Sequence, residues 1–415
     1  MDQRLSRRDF CATATAAAAT LGAGAFVPAR AQAPTVYTIP VAADYTGPIA
    51  AIIDSWQAAH QAMLAWWNET RGAKLGVRIE QKIYDTRYDM ATLARLWPEM
   101  LTAGGAKPLG YLGIGGADVV ALSKRLPGDK VPLFVSSPVP SGAWLPDTWS
   151  FTFRPTYAHE FAGLFAYLQS ALPDKRPLRI ATVSTQSHPA YLDPVNGVQA
   201  LAKAYPDRFA VVSTQWVDLY PVAAANQVRE LAKANPDIIM NHANTQQATA
   251  ILKGLKEAGL RIPLATSSHN GITELESAFP LAELEGVYSV FAFAPFNTPG
   301  LKAADVFRQY YKGTKGKWGL TAVQTSAQML LFLTAVERAA AAVGPAKLTG
   351  QAVYDAMLSA PIPSEATLGI LPTLSFGPQA PFPTQNLAVQ AMVVKGGKLG
   401  TVSSNWLPVP ALAKW

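Results

Sequence analysis

Short apolar runs alternate with longer amphipathic segments along the chain after Pro34. Apolar runs followed by helical patterns are typical of strands buried in a parallel sheet, with helices on both faces. The runs that predict strands lie at 35–43, 77–85, 109–114, 131–137, 179–185, 209–217, 237–243, 262–268, 287–293 and 387–394. The segments that predict helices lie at 49–72, 90–101, 117–126, 158–172, 194–205, 223–234, 244–260 and 321–343. The chain is therefore predicted to be an α/β protein.

The segment 244–260 shows the helical pattern most clearly. Its apolar residues recur at the spacing that places them on one face of an α-helix. Asn244 followed by Gln247 resembles a capping box, and Gly259 supplies a C-terminal stop. Pattern and end signals agree, so both limits of this helix are predicted.

Length and composition narrow the class of protein. A chain of 415 residues suits two domains, and a hydrophobic fraction of 49% excludes wholesale disorder. The formal charge of +7 is not gathered into a basic run, so nothing indicates nucleic-acid binding. A single Cys excludes an internal disulfide and a Cys-based zinc site.

Residues 1–31 carry the features of an export signal in their usual order. Paired Arg7 and Arg8 are followed by an Ala/Thr/Gly stretch and a small-residue cleavage pattern, and SRRDF resembles the twin-arginine type. Cleavage fits after Ala31 or after Ala33. Because Pro34 would disturb an extended peptide in the protease groove, we expect the cut after Ala31.

Removal of this signal changes the formal charge and the number of cysteines. It takes away four arginines against two aspartates, which lowers the formal charge from +7 to +5, and it removes Cys11, the one cysteine. The apolar stretch of the signal is too short for a transmembrane helix. No Cys follows that could carry a lipid. We therefore expect a soluble periplasmic protein without a membrane anchor, held together by its cores.

Six segments in order resemble the type I periplasmic substrate-binding proteins of ABC importers, specifically the branched-chain amino acid (Leu/Ile/Val-binding) group. Together they span most of the chain after the signal. The segments are VAADYTGPIA at 41–50, IEQKIYDTRYDMATLA at 79–94, KVPLFVSSPV at 130–139, FTFRPTYAHEFAGLFAYL at 151–168, the strand–helix–strand run at 235–268, and LGILPTLSFGP at 368–378.

The resemblance implies two doubly wound lobes, joined by three crossovers, with a ligand cleft between them. It places lobe 1 at 34–153 plus 290–367 and lobe 2 at 154–289 plus 368–415. It further implies a small-molecule ligand, an inner-membrane ABC permease as partner and a monomeric protein without a cofactor. In such folds the lobes close on the ligand like a hinge. Ligands of open parallel sheets bind at the carboxyl ends of the strands, so the strand-end loops are the candidate site.

In the first lobe, three loops supply candidates. Gly116 and Ala117 open a predicted helix, whose backbone N–H groups attract an anion. Asp118 is expected to cap that helix; an exposed carboxylate there would oppose an anion. In the resembling family, the loop of Ser136 and Ser137 clasps the ligand's carboxylate; otherwise it is an ordinary turn. Tyr45 lines the cleft or covers the lobe surface.

In the second lobe, three predicted strands end near a histidine: His188, His242 and His269. The first interpretation is a polar ligand wall, in which neutral His donates and accepts and His⁺ pairs with an anion. The alternatives are unrelated structural roles and a three-His metal site. Alignment with the family adds Tyr191 and Asn244, near positions where it has aromatic residues.

Ser268 is the main departure from the family. Amino-acid binders of that group place a carboxylate in this loop, where it pairs with the ligand's ammonium, and LATSSHNG has none. An unpaired ammonium in a closed cleft costs several kcal/mol. We therefore expect a carboxylate-bearing or neutral polar ligand, and not an ordinary amino acid. An aromatic ligand could stack on Tyr45, Tyr191 and the histidines.

The common enzyme motifs are absent from the sequence: there is no G-x-S-x-G, no H-E-x-x-H and no P-loop. Three hypotheses follow. The first is the solute receptor of an ABC importer. The second is the same binding module serving a sensor or a periplasmic oxidation system. The third is a metal-dependent enzyme built on the histidine loops.

Overall fold

In the computed structural model, the residues described are 33–137, 144–187, 189–412 and 415. The predicted export signal at 1–31 and His188 lie outside them. Two main sheets form, one of them from the first five strands. The strands are β1 (Thr35–Ala43), β2 (Val77–Asp85), β3 (Tyr111–Leu112), β4 (Leu133–Val135), β5 (Ser150–Thr152), β6 (Leu178–Ser184), β7 (Phe209–Trp216), β8 (Ile238–Asn241), β9 (Leu264–Thr266), β10 (Val287–Phe291), β11 (Ser375–Phe376), β12 (Pro383–Gln385), β13 (Ala388–Lys395), β14 (Lys398–Thr401) and β15 (Leu407–Pro408).

Helices follow most strands, as the apolar pattern predicts. They are α1 (Ala50–Trp67), α2 (Ala73–Leu75), α3 (Met90–Met100), α4 (Gly116–Leu122), α5 (Leu126–Asp129), α6 (Tyr157–Ser170), α7 (Pro189–Ala204), α8 (Ala225–Lys233), α9 (Thr245–Glu257), α10 (Ile272–Leu275), α11 (Lys302–Tyr310), α12 (Leu320–Val343) and α13 (Gly350–Ser359). Helix α9 confirms its predicted ends. Asn244 accepts the N–H of Gln247 at 3.0 Å, and Gly259 has a left-handed φ of 66°.

Lobe 1 is built on the parallel sheet β2-β1-β3-β4-β5. Strand β1 pairs with β2 along its whole length. Strand β2 lies at the edge of this sheet. There the side chain of Asn68 accepts the N–H of Ile79 at 2.9 Å and donates to its carbonyl oxygen at 2.8 Å. The amide of Asn68 thus replaces a neighbouring strand at that residue.

The chain returns to lobe 1 after β10, because α11 and α12 pack against α1, and α13 packs against α12. Among the described helices, α12 is the one long and apolar enough to cross a membrane, but 72% of its most apolar stretch is buried inside the protein. It serves as a core helix: Phe332 packs edge-on against Phe134, with ring centroids 5.4 Å apart. The length of its apolar run comes from burial on several sides.

Lobe 2 is built on the sheet β14-β13-β10-β9-β8-β6-β7, to which β15 adds through β13. Strands β6 to β10 are parallel, but β13, β14 and β15 are antiparallel additions. The sequence pattern predicted only parallel sheets. The pairing of β13 with β14 follows from a tight turn at Gly396 and Gly397, whose φ values are 59° and 67°.

Three segments cross between the lobes, at 153–156, after β10, and before β13. They hydrogen-bond to one another. Ala294, after β10, donates its N–H to the carbonyl of Ile370 at 2.8 Å, and Thr152, the last residue of β5 before the first crossover, donates its N–H to the carbonyl of Pro381 at 2.8 Å. The two-lobed fold with three crossovers is therefore confirmed. The residue limits of the lobes stay a prediction.

Substitution of Gly197 by Ala is expected to destabilise the protein by about 1–2 kcal/mol. An added Cβ would lie 2.3 Å from the Cβ of Ala158 and 2.8 Å from the ring of Trp415, so α7 would have to move away from α6. Overpacking of about 1–3 kcal/mol outweighs the helix propensity gained, roughly 1 kcal/mol. Urea unfolding measures the change. Gly128→Ala, where a Cβ would meet nothing within 4 Å, should be neutral or stabilising; equal effects of the two variants would contradict this packing.

His60 predicts a pH dependence of stability. It is fully buried on α1, and neither ring nitrogen has a hydrogen bond of good geometry among the described residues, although Gln328 lies close enough to favour protonation slightly. Burial dominates and lowers the pKa of His60 to about 3. In the unfolded chain the pKa is about 6.5, so between these values only the unfolded state binds the proton. His60 therefore makes the free energy of unfolding fall as the pH falls from about 6.5.

The variant His60→Leu lacks this proton and should gain stability relative to the wild type on acidification. The relative gain is about 1 kcal/mol per pH unit between pH 5.5 and 4.5. Urea unfolding of both proteins at pH 7.5, 5.5 and 4.5 measures it. The other histidines are common to both proteins and cancel in the difference. A difference that is independent of pH would contradict the neutral, buried state of His60.

Candidate ligand-binding site

The two lobes meet at the hydroxyl of Tyr157, the first residue of α6. This hydroxyl lies 3.5 Å from Oγ of Ser137 in lobe 1 and makes a short hydrogen bond with Nε2 of His269 in lobe 2. Thr156 caps the helix by accepting the N–H of His159, which fixes where Tyr157 begins the first turn. Two predicted site residues, Ser137 and His269, are thus joined through a tyrosine that the sequence analysis missed.

Aromatic rings gather around this hydroxyl. The ring of His242 packs on Tyr157 with centroids 3.9 Å apart, and His269 and Tyr191 meet His242 edge-on at 5.3 and 5.6 Å. Two of the three predicted strand-end histidines therefore come together, with Tyr191 beside them. We call the group of Ser137, Tyr157, Tyr191, His242 and His269 the aromatic pocket.

The aromatic pocket combines accessible and buried groups. His269 is solvent-accessible although protein atoms surround it, which is the signature of a residue lining a cleft. Tyr157 and His242 form the buried wall behind it. Nδ1 of His242 hydrogen-bonds Oγ of Ser267 at 2.8 Å, and its Nε2 has no hydrogen-bond partner among the described residues. That nitrogen is a buried polar group whose hydrogen-bonding capacity is unused within the described part of the chain.

The surroundings of both pocket histidines lower their pKa values and so favour the neutral imidazole. Burial, and then the charge of Arg154, lower the pKa of His269 to about 3. Burial, His269 and Arg154 hold the pKa of His242 well below its usual range. Burial raises the pKa of Tyr157 to about 12, so its phenol keeps the proton. The pairing of His⁺ with a bound anion stays a prediction, since the charge of an anionic ligand would raise both pKa values.

Tyr88 is a second tyrosine that the sequence analysis missed. It follows β2 in a turn where Arg87 and Tyr88 both have left-handed φ values, 54° and 48°. Its hydroxyl lies near the N–H of Ala117, and burial raises its pKa well above 10. A Cβ on Gly115 would lie 3.0 Å from this hydroxyl, so a larger residue there would push the tyrosine away by a few tenths of an ångström. Two non-glycine residues in this conformation are typical of functional loops.

Asp118 is buried rather than exposed, and it caps α4. Its carboxylate accepts the N–H groups of Ile114 and Gly115, each at 3.0 Å, and the hydroxyl of Tyr111 at 2.6 Å. Two of the backbone donors near the start of α4 are therefore already used. The anion-binding site expected at the start of α4 therefore retains only the N–H groups of Gly116 and Ala117. The N–H of Ala117 faces the hydroxyl of Tyr88. Both residues are half-buried.

Of the remaining candidates in lobe 1, one contacts the aromatic pocket and two do not. Ser136 is buried and donates its hydroxyl to the carbonyl of Ile114 at 3.1 Å, so it ties two loops together. Ser137, half-buried, is the serine that reaches Tyr157. Tyr45 is 47% exposed, and its N–H donates to Asp85 at the outer end of the loop. It lies at the surface rather than against the aromatic pocket.

Asn244 serves the fold of lobe 2. It caps α9, and its side-chain amide donates to the carbonyl of Leu219 at 2.8 Å. Its polar groups are thus engaged within the lobe. No group of three His, Cys, Asp or Glu among the described residues could hold a metal ion. His188, the third member of the hypothetical metal site, lies outside those residues.

Ser268 contacts a buried cation. Its Oγ accepts from Nη2 of Arg154 at 2.8 Å, and Glu160 accepts from Nε and Nη2 of the same guanidinium at 2.7 and 2.8 Å. Arg154 and Glu160 are fully buried. Burial raises the pKa of Glu160 to about 7 against the opposing effect of Arg154. The loop in which the resembling binders carry an acid is here bonded to the chain's own arginine.

Two lobes joined by crossovers, with polar and aromatic residues converging between them, define a solute receptor of the two-lobed binding-protein class. The chain belongs to the periplasmic binding protein family, because the sequence model of the family described as "Periplasmic binding protein" matches residues 36–398. The resemblance drawn from the six segments is thereby confirmed. No curated protein sequence matches significantly.

Solved structures share the fold. One, titled an ABC transporter permease from the Pseudomonas fluorescens group, has a TM-score of 0.77 at 16% identity and covers 90% of this chain and 92% of its own. A branched-chain amino acid ABC transporter from Thermus thermophilus with bound valine has 0.73 at 17%, covering 91% and 97%. A fatty acid ABC transporter substrate-binding protein from Thermomonospora curvata has 0.67 at 19%, covering 91% and 97%. At these identities the likeness establishes the fold, and the ligands named belong to those proteins.

Proposed function

We propose that this chain is the solute-binding component of an ABC import system. It is exported to the periplasm by its twin-arginine-like signal and binds one small molecule as a monomer, without turnover. It then delivers that molecule to an inner-membrane permease. Membership of the periplasmic binding protein family supports the binding role, and the order of features at residues 1–31 supports export.

The ligand carries a carboxylate or a neutral polar group and is not an ordinary amino acid. The observation that carries this proposal is the contact of Ser268 with Arg154, since this loop holds a cation where an ammonium would need an acid. The buried carboxylates nearby are engaged: Asp118 accepts three hydrogen bonds, and Glu160 pairs with Arg154. An ammonium in the aromatic pocket would lack a partner.

The recognition surface favours a flat ligand with hydrogen-bonding groups. Tyr191, His242 and His269 offer ring faces and edges, on which aromatic groups pack favourably. Nε2 of His242 and the hydroxyls of Ser137 and Tyr157 supply polar contacts. A few polar groups set in an apolar wall are typical of small-molecule sites.

Calorimetry and thermal shift on the purified protein test this proposal. The panel contains leucine and valine on one side, and benzoate, 4-hydroxybenzoate and their amides on the other. A ligand that binds the native state raises the thermal midpoint by mass action. Mass spectrometry of any co-purified molecule identifies the natural ligand. Tight binding of leucine, without response to the aromatic set, would overturn the ligand class.

The predicted site is tested by Ser137→Ala. Removal of this hydroxyl should weaken binding of the co-purified ligand by about fivefold and leave the fold intact, since one hydrogen bond to a bound solute contributes about 1 kcal/mol. Ser136→Ala is the matched control on affinity, because Oγ of Ser136 is bonded to the backbone. Unchanged affinity in Ser137→Ala would place the ligand elsewhere.

A further inference from the structure

A cation is built into the wall of the aromatic pocket. Arg154 lies in the first crossover and is 0% exposed. Its guanidinium carbon sits 4.6 Å from the ring centroid of Tyr157 and 5.5 Å from that of Phe293. Guanidinium groups at such distances are attracted by aromatic rings. The charge is therefore next to a residue whose hydroxyl reaches the cleft.

The partners of Arg154 are those that a bound ammonium would need. A buried cation requires a carboxylate, further hydrogen-bond acceptors and, where available, aromatic faces. Glu160 supplies the carboxylate in a bidentate contact, Ser268 accepts at 2.8 Å, and Gln324 accepts at 3.4 Å. The chain's own guanidinium uses this whole set. A ligand ammonium would have to compete with a tethered and permanently charged group.

Of the two charged groups in the ion pair, the guanidinium of Arg154 has the larger effect on the pKa values of the pocket residues. Its charge lowers the pKa of both pocket histidines, while Glu160 is not among the groups that affect them. At Tyr157 the effect of Arg154 on the pKa exceeds the opposite effect of Glu160. Geometry agrees with this order of effects, because it is the guanidinium that lies 4.6 Å from the ring centroid of Tyr157.

We propose that Arg154, held by Glu160 and capped by Ser268, is a charge selector that fills the cation subsite of the cleft and excludes solutes carrying an ammonium. Anionic and uncharged solutes remain admissible. This inference rests on the proposed function, since it uses the same cleft and the same contact of Ser268 with Arg154. It assigns specificity to a residue of the first crossover, directly after β5.

A purely structural role is the competing explanation. Arg154 also contacts Gln324 and Phe293, and so it joins the lobes. If Arg154 had only a structural role, its substitution would change the stability of the protein. It would change the access of anionic and cationic solutes to the aromatic pocket by the same factor. A charge selector changes the preference between solutes of opposite charge and similar size. The test therefore measures a ratio.

Thiol reagents of opposite charge measure this ratio without a known ligand. In a Cys11→Ser background of the full chain, which contains no other cysteine, Ser137→Cys places a thiol in the aromatic pocket. Val222→Cys, at a residue 98% exposed, is the reference. The probes are the anionic sulfonatoethyl and the cationic trimethylammonioethyl methanethiosulfonates. The anion-to-cation ratio of rates should be about tenfold higher at position 137 than at 222.

Variants identify the source of the ratio. Arg154→Met combined with Glu160→Leu should reduce the ratio at position 137 to that of the reference. Ser268→Asp, which keeps the ion pair and places an acid between Arg154 and the pocket, should also lower it. Arg176→Met, at a partly exposed arginine paired with Asp174 and Asp237, should leave it unchanged.

Three outcomes would overturn the proposal. They are an equal or higher rate of the cationic reagent at position 137, a ratio that survives both Arg154→Met/Glu160→Leu and Ser268→Asp, and a thiol at 137 that neither reagent reaches. Each leaves the import function open, since none depends on the natural ligand or the permease. Conversely, failure to find an aromatic or carboxylate ligand would overturn the proposed ligand class but not the charge ratio.

Discussion

Glu160→Leu is expected to lower the free energy of unfolding by about 3–5 kcal/mol, because it leaves the guanidinium of Arg154 buried without its carboxylate. Both side chains are 0% exposed, and two nitrogens of Arg154 bind both oxygens of Glu160. The remaining acceptors, Ser268 and Gln324, are neutral and cannot balance the charge. Urea unfolding at pH 7.5 measures the loss.

The double variant Arg154→Met/Glu160→Leu completes the cycle. Its stability should return to within about 1 kcal/mol of the wild type, because replacement of a buried ion pair by apolar residues of similar size is often neutral. Glu230→Leu is the matched control on a helix of the same lobe, where the pair with Lys233 is exposed. That control should change stability by less than about 0.5 kcal/mol. A double variant as unstable as Glu160→Leu would contradict the argument.

Tyr157→Phe is expected to weaken ligand binding by about 10–100-fold while the protein remains folded. The substitution removes the hydroxyl that connects Ser137 with His269 and keeps the ring that packs on His242. Loss of a polar contact to the solute, together with an unsatisfied imidazole nitrogen, accounts for about 1–3 kcal/mol. Calorimetric titration with the co-purified ligand measures the dissociation constant.

Tyr205→Phe is the control for that experiment. Tyr205 lies in the same lobe, and its hydroxyl donates to the carbonyl of Ala411 at 2.9 Å, away from the aromatic pocket. Its removal should leave affinity unchanged. Wild-type affinity in Tyr157→Phe, with far-UV circular dichroism also unchanged, would show that the solute does not contact this hydroxyl.

The order of apolar and amphipathic segments was sufficient to predict the α/β class, the caps of α9 and most strand positions. Each of these depends on residues close in sequence, so local patterns specify them. The antiparallel strands β14 and β15 were not predicted, since β14 is short and mostly exposed and β15 has two residues. Long-range pairing decides such strands, and the apolar pattern carries little of that information.

The candidate site was predictable where it follows a parallel strand. His242 and His269 end β8 and β9, and the carboxyl ends of neighbouring parallel strands lie side by side. Tyr157 and Arg154 were missed because they follow β5, a strand of three residues that the apolar pattern did not predict. The segment FRPTY did contain a signal: a charged residue and an aromatic residue beside a helix cap, in a segment expected to run along the cleft.

Alignment with the family did not identify the role of Asn244. Asn244 aligned near an aromatic position, but its side chain caps α9, as its own sequence neighbours indicate. Tyr88 was missed because its place depends on two consecutive left-handed residues. Only glycine usually announces that conformation in a sequence. Backbone conformations of this kind depend on the surrounding structure.

The amide of Asn68 at the edge of the first sheet has a consequence for association between molecules. An uncovered edge strand presents N–H and C=O groups that can pair with another chain and begin aggregation. Asn68 occupies both the N–H and the C=O group of Ile79, the third residue of β2. A second molecule would have to break these bonds before it could extend the sheet. One asparagine thus opposes extension of the sheet at the third residue of this nine-residue strand.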